Sequence, residues 1–188
     1  MTGARATLLL LLGLLLAGCA APVPTAGGAA PAVGPVVGPV TGPVPVSVRV
    51  PAIGVDRDDV QRLGLAADGT AEVPTDFDRV GWFAGGPARE GRGPTVLLGH
   101  VDSRTGPAVF YRLRDLRPGD VVEVGRSDGS GARYAVSRIE QVPKDRFPTF
   151  AVFGATADDV LRLVTCAGAF DRGARSYTDN LVVHAERV

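Results

Sequence analysis

The sequence is poor in cysteine, histidine and lysine, and each scarcity excludes a class of protein. Two cysteines and two histidines among 188 residues are too few for a disulfide framework or a histidine-rich metal site. Lys144 is the only lysine, and the arginines are interspersed with acids instead of forming a basic block. The formal net charge is zero, so the chain lacks the electrostatic footprint of a nucleic-acid-binding protein. No metal-ligand spacing and no phosphate-binding glycine loop occurs, and we predict no cofactor and no metal.

The N-terminal residues predict an exported protein. Arg5 precedes an apolar run from Leu8 to Gly18, which is shorter than the roughly 20 residues that a membrane-spanning helix needs. Small residues then precede Cys19, as expected near a signal cleavage site. The stretch "LAGC" resembles a bacterial lipobox, which implies that Cys19 is the lipid-modified first residue of the mature chain. An ordinary cleaved leader and a short uncleaved anchor are the alternatives.

Composition divides the remaining chain into a linker and one domain. After a signal peptide over residues 1–18, residues 19–46 are rich in proline, glycine and alanine and carry no charge. Such a segment favours an extended, polyproline-II-rich stalk. Residues 47–188 are predicted to form one domain of ordinary size.

Short alternating segments separated by turn residues predict a mainly β domain, either a barrel or a sandwich. The clearest candidates are "VSVRV", "TVLLGH", "DVVEVG", "ARYAVSRIEQV", "DVLRLVTC" and "DNLVVHAERV". The best helical turn is "PAVFYRLRDL", residues 107–116, because its apolar positions have near-helical spacing.

Cys166 raises the question of why an exported domain keeps an unpaired thiol. If Cys19 is lipidated, Cys166 has no partner, and a leftover cysteine in an exported protein suggests a reactive thiol. A cysteine nucleophile needs a basic partner because free thiol is only a few per cent thiolate at neutral pH. His100 and Cys166 each end an apolar run and precede a turn-rich loop, whereas His184 lies within a predicted strand. The alternative is an inert, buried cysteine.

Four segments together resemble the class F sortases. They are "LLGHVDS", "GPAVFYRLRDLRPGDVVEV", "LVTCAGAFDRG" and "YTDNLVVHA", and the similarity runs from about Ser47 to the C-terminus. The resemblance implies a closed, mixed eight-stranded β-barrel with short helices in its loops. It also implies a membrane-anchored cysteine transpeptidase of Gram-positive bacteria. With the lipobox, the expected place is the extracytoplasmic face of the membrane, with lipid on Cys19 as the anchor.

The resemblance assigns a reaction to the two residues. Cys166 would attack a sorting signal of the Leu-Pro-x-Thr-Gly kind and form an acyl-thioester, with His100 as the acid/base partner. The implied partners are the sorting-signal peptide and an amine acceptor such as a cell-wall precursor.

The sequence departs from the sortase pattern at the oxyanion-binding arginine. Sortases carry this arginine on the final strand, but Thr178 and Asn180 stand at the matching positions here. Arg175 in the preceding loop is the predicted substitute, and Thr178, Asn180 or backbone N–H groups are the alternatives.

Three further residues are candidates near the substrate. Thr165 precedes the thiol, and packing explains it equally well. Asp102 and Ser103 follow His100, where they could line the cleft or simply form a turn.

Two other functions stay open at this point. One is another exported cysteine peptidase or transpeptidase, although the Ser-His-Gly-Cys motif of L,D-transpeptidases is missing. The other is a non-catalytic surface lipoprotein whose degenerate sortase barrel binds a peptide without cleaving it.

Overall fold

The structure is a computed structural model that describes residues 40–86 and 93–188. The predicted signal peptide, Cys19 and most of the predicted linker lie outside the described residues. Within the described ranges, no helix is both long and apolar enough to cross a membrane.

The described residues are mainly β, as predicted. The strands are β1 Pro45–Val50, β2 Val55–Arg57, β3 Gln61–Leu63, β4 Gly81–Phe83, β5 Thr95–Leu98, β6 Asp102–Ser103, β7 Gly106–Pro107, β8 Val121–Arg126, β9 Gly131–Pro143, β10 Val160–Asp171 and β11 Ser176–Arg187. One short helix, α1, spans Thr149–Phe153, and 3₁₀ turns span Pro51–Ile53, Tyr111–Asp115 and Lys144–Arg146. The predicted helical turn over residues 107–116 therefore forms only a 3₁₀ turn in its centre.

The main sheet is open, and the prediction of a closed eight-stranded barrel is wrong. Nine strands follow the order β2-β1-β8-β9-β11-β10-β5-β4-β3, and β6 pairs separately with β7. The sheet curls through 273° as a half-barrel. Closure requires the first and last strands to exchange hydrogen bonds, whereas β2 and β3 are three-residue strands at opposite edges.

Both faces of the central strands pack against apolar residues. On one face Leu161, Leu163 and Val183 belong to the larger core, which also contains Trp82. On the other face Val164 and its neighbours form a second cluster covered by α1. Burial on both faces explains why residues 160–164 are apolar at every position except Arg162. Packing on both faces thus holds β10, the strand that carries Cys166, in place.

Candidate active site around Cys166

Cys166 lies within β10 and not at the end of a strand as predicted. β10 continues to Asp171, and its antiparallel pairing with β11 places Cys166 opposite Asn180. The register shifts between Ala167 and Phe170, where Gly168 has a φ of +81°. This bulge bends the strand directly after the thiol without ending the ladder. A β-bulge is common beside functional sites because it redirects a side chain.

The parallel pairing of β5 with β10 determines where His100 lies. Val164 is in register with Leu98, and the N–H of Gly99 donates to the carbonyl of Val164. His100 and Cys166 each follow this last register pair by two residues, so the pairing brings the segments that carry them to the same end of the β5–β10 ladder. β5 itself ends at Leu98, so His100 lies beyond the strand and not at its end as predicted.

The ring of His100 is held by Pro74 and Phe77. Its Nε2 lies 2.8 Å from the carbonyl oxygen of Pro74, and its centroid lies 4.5 Å from that of Phe77. A carbonyl oxygen can only accept, so Nε2 carries a proton and donates it. Nδ1 is therefore the nitrogen at which this imidazole can gain or lose a proton.

A cavity of about 330 Å³ opens at Cys166, which is itself partly buried. It is lined by Val101, Asp102, Phe110, Tyr111, Arg114, Gln141, Thr165, Cys166, Ala167, Gly168, Tyr177 and Leu181. The thiol is consequently reachable from solvent and is not sealed in hydrocarbon.

Lys144 is the cationic neighbour of the thiol. Its Nζ lies 3.7 Å from the Cys166 Sγ and donates a hydrogen bond to the Ser176 Oγ at 2.8 Å. Sequence reasoning assigned Lys144 no role. The sequence does single out Lys144 in one respect, because it is the one lysine in a chain whose other basic side chains are nearly all arginines.

Asp102 and Tyr177 connect two walls of the cavity. The phenol of Tyr177 donates a short hydrogen bond to an Asp102 carboxylate oxygen. This bond raises the pKa of Tyr177 to about 12, and burial and the charges of Asp102 and Cys166 act in the same direction. The phenol therefore keeps its proton near neutral pH and holds the β10–β11 hairpin against β6.

Thr165 lies against the cavity with an unsatisfied hydroxyl. The residue is only 4% exposed, and its Oγ1 is buried with no hydrogen-bond partner among the described residues. A buried polar atom without a partner is unusual and calls for a ligand, a water or a functional reason.

The remaining candidates do not line the cavity. Ser103 Oγ accepts from the Thr105 N–H within the β6–β7 turn, and Thr178 Oγ1 accepts from the Ala169 N–H at the bulge. Asn180 pairs with Cys166 across the ladder. Arg175 is exposed in the β10–β11 turn with a φ of +50°. These four residues, His100 and Lys144 are not among the described residues lining the cavity, and Lys144 is placed at the site by its contact with the sulfur alone.

Within the described residues, the curled sheet and the accessible thiol define a mainly β protein with a cysteine-lined cavity beside a central strand. Residues 48–188 match the family model of the sortase domain. The chain belongs to the sortase family, whose members are cysteine transpeptidases. A search of curated proteins finds no match.

Solved sortase structures share this fold. Sortase A from Corynebacterium diphtheriae, a lid mutant, is 20% identical with a TM-score of 0.55, covering 78% of this chain and 72% of that one. Sortase C1 from Streptococcus suis is 20% identical with a TM-score of 0.54, covering 77% and 72%. Sortase C-1 from Actinomyces oris is 25% identical with a TM-score of 0.53, covering 77% and 73%.

Proposed function

We propose that the chain is a class F-like cysteine transpeptidase that cleaves a Leu-Pro-x-Thr-Gly-like sorting signal and transfers the acyl part to an amine. The accessible thiol of Cys166 carries this proposal, because it contacts a cation and follows by two residues the register pair that His100 also follows by two. Family membership supports the type of reaction, and the sequence resemblance supports the class.

The first half of the reaction forms an acyl-thioester. The Cys166 thiolate attacks the threonine carbonyl carbon, and the carbonyl oxygen becomes an oxyanion. The C–N bond after threonine then breaks, and the departing amine takes a proton from Nδ1 of His100 while Nε2 stays bonded to Pro74. Covalent catalysis of this kind divides one difficult acyl transfer into two easier steps.

The second half releases the product. The acceptor amine, for example from a cell-wall precursor, attacks the thioester carbonyl and loses a proton to His100. The C–S bond breaks, and Cys166 returns as the thiolate. Thr165 lines the cavity and has a buried hydroxyl without a partner among the described residues, and this hydroxyl would hydrogen-bond the backbone of a bound peptide.

An adduct experiment tests the nucleophile. The chain is incubated with a Leu-Pro-x-Thr-Gly peptide, and mass spectrometry measures the covalent adduct and the transfer product in the presence of an amine. Cys166→Ala should abolish the adduct, and His100→Ala should reduce it by about 10²-fold or more.

His184→Gln is the matched control because it removes the other histidine. That residue pairs with Arg162, about 13 Å along β10 from the thiol. An undiminished adduct in Cys166→Ala contradicts the assignment. A folded wild-type chain that binds the peptide but never forms an adduct favours the non-catalytic peptide-binding alternative.

We further propose that Cys19 is lipidated and holds the domain at the extracytoplasmic face of the membrane. The support is the sequence alone, because Cys19 lies outside the described residues. Two acyl signals give stable anchoring, whereas one gives only marginal binding. In cells fed an alkyne fatty acid, the wild-type chain should be labelled and pellet with membranes, and Cys19→Ser should lose both properties.

A further inference from the structure

The cation that contacts the Cys166 thiol comes from the 3₁₀ turn after β9, and not from the final strand or the loop before it. Thr178 stands where the sortase arginine is expected, and its hydroxyl is occupied by the Ala169 N–H of the bulge. Arg175 lies in the exposed hairpin turn beyond the Asp171–Ser176 pair. Neither residue therefore places a positive charge against the Cys166 sulfur.

Lys144 is positioned by the central strands. It directly follows β9, whose last residue, Pro143, pairs with Asp179 of β11. Its ammonium group donates to the Ser176 Oγ at 2.8 Å, which orients the flexible side chain toward the Cys166 Sγ at 3.7 Å. An ammonium group has three N–H donors, so one donor remains beside the sulfur after these two contacts.

We propose that Lys144 is a catalytic residue that pairs with the Cys166 thiolate and donates a hydrogen bond to the oxyanion of the tetrahedral intermediate. Lys144 keeps its proton throughout, and no covalent bond to it forms or breaks. A charged donor aimed at developing negative charge stabilises the transition state more than the ground state. This inference rests on the proposed function for its second half, whereas the pairing with the thiolate does not.

Arg114 is the rival cation. It lines the cavity, but its Nε donates to the carbonyl of Tyr111, and its guanidinium carbon lies 4.7 Å from the centre of that ring. These contacts hold the guanidinium on the Tyr111 side of the cavity. Lys144 is the cation in direct contact with the sulfur, and Arg114 is therefore tested as an alternative.

The first measurement reads the charge at the sulfur without any peptide. The full chain is alkylated with iodoacetate, an anion, and with iodoacetamide, which is neutral, and the ratio of the two rates is compared among variants. Lys144→Gln should lower the iodoacetate-to-iodoacetamide ratio about fivefold, which is the effect of one charge at about 4 Å in water. Lys144→Arg should keep the ratio.

Arg146→Gln is the matched control. It removes an equally charged, 80% exposed side chain from the same 3₁₀ turn, where its ion-pair partner is Asp145. Its ratio should equal that of the wild type. An unchanged ratio in Lys144→Gln, or an equal fall in Arg146→Gln, overturns the pairing.

The second measurement is peptide transfer. Lys144→Gln should lower kcat by about 10²-fold with little change in KM, and Lys144→Arg should recover most of that loss. A lowered ratio with an unchanged kcat overturns the catalytic role, as does a loss of kcat found in Arg114→Gln and not in Lys144→Gln. If the wild type transfers no peptide but Lys144→Gln still lowers the ratio, the proposed function fails while the Lys144–Cys166 pair stands.

Discussion

At the residue scale, the sequence predicted a cysteine and a histidine but not the groups that contact them. His100 and Cys166 stay predictions, and they could be proposed because a thiol without a partner and a histidine after an apolar run are visible in a single sequence. Lys144 was visible as the one lysine but was given no role, because its contact with Cys166 depends on how the end of β9 is placed against β11. The pairing of Asp102 with Tyr177 has the same origin, since these two residues meet only across the cavity.

Thr165 provides a test of whether its hydroxyl serves the fold or a ligand. Thr165→Val preserves the shape of the side chain and removes a buried hydroxyl that has no partner. Because an unsatisfied buried polar group costs about 1–3 kcal/mol, we expect the free energy of unfolding to rise by about 1 kcal/mol. Urea denaturation measures this change.

The same variant should raise the KM for the sorting-signal peptide, with Thr165→Ser as the control that keeps the hydroxyl. A fall in the free energy of unfolding of Thr165→Val by more than about 1 kcal/mol would show that the hydroxyl is bonded within the folded chain.

His184 makes stability depend on pH. It is 1% exposed, and burial and the charge of Arg162 lower its pKa from the ordinary value of 6.5, although a hydrogen bond to Glu140 opposes the shift. Below about pH 6.5 the unfolded chain therefore binds a proton that the folded chain does not. Stability is complete above this pH and decreases as the pH falls toward the folded-state pKa.

Urea denaturation between pH 7 and pH 5 should show this decrease in the wild type and a smaller one in His184→Gln, which cannot ionise. Glu140 does not obscure the comparison, because its pKa lies below its ordinary value of 4.5. Its contribution is lost only at lower pH. Identical slopes in the two proteins would contradict the assignment to His184.

At the element scale, alternation of apolar residues identified the long strands and missed the short ones. β1, β5, β8, β9, β10 and β11 were predicted, whereas β2, β3 and β4 have three residues each, too few to establish a period. The predicted end of β10 at Cys166 is wrong, because the glycines and charges of "AGAFDRG" favour a loop when the sequence is considered alone. A glycine-rich stretch is equally compatible with a bulged ladder, and tertiary pairing with β11 decides between the two.

Gly168 is the residue that the bulge requires. A Cβ there would meet Thr178 Oγ1 and lie 2.8 Å from the Asp179 carboxylate, in a backbone conformation that only glycine adopts without strain. We expect Gly168→Ala to lower the free energy of unfolding by about 1–3 kcal/mol and to reduce peptide transfer, because the strain lies two residues from the thiol.

Gly131→Ala is the matched control, since a Cβ at Gly131 in the same sheet would meet nothing within 4 Å. Urea denaturation and the transfer assay compare the two variants. Equal stability of Gly168→Ala and the wild type would mean that the bulge tolerates a side chain.

At the scale of the whole molecule, the sequence correctly predicted a mainly β protein of the sortase family and wrongly predicted a closed barrel. The period of each strand indicates which face is buried, but it carries no information on whether the edge strands meet. That outcome depends on the accumulated twist and stagger of nine strands. The family resemblance could not decide whether the sheet closes, because the edge strands β2 and β3 lie outside the four segments that carry it.

We expect folding to need β1 but not the residues before it. β1 pairs with both β2 and β8, and its Val48 and Val50 are fully buried. A fragment of residues 40–188 should unfold cooperatively on heating, whereas residues 51–188 should lose several kcal/mol, since each buried valine contributes about 1.5–3 kcal/mol. Circular dichroism melting checks this, and equal melting temperatures would contradict it.

Trp82 gives the folded sheet an optical signature of its own. It is the only tryptophan of the chain, it is 4% exposed, and its strand β4 pairs with β5, which leads to His100. Its emission should therefore be blue-shifted in the native protein and move to longer wavelength when β4 and β5 separate. Opening of the sheet beside His100 can thus be followed by intrinsic fluorescence, without a dye and without modifying the thiol.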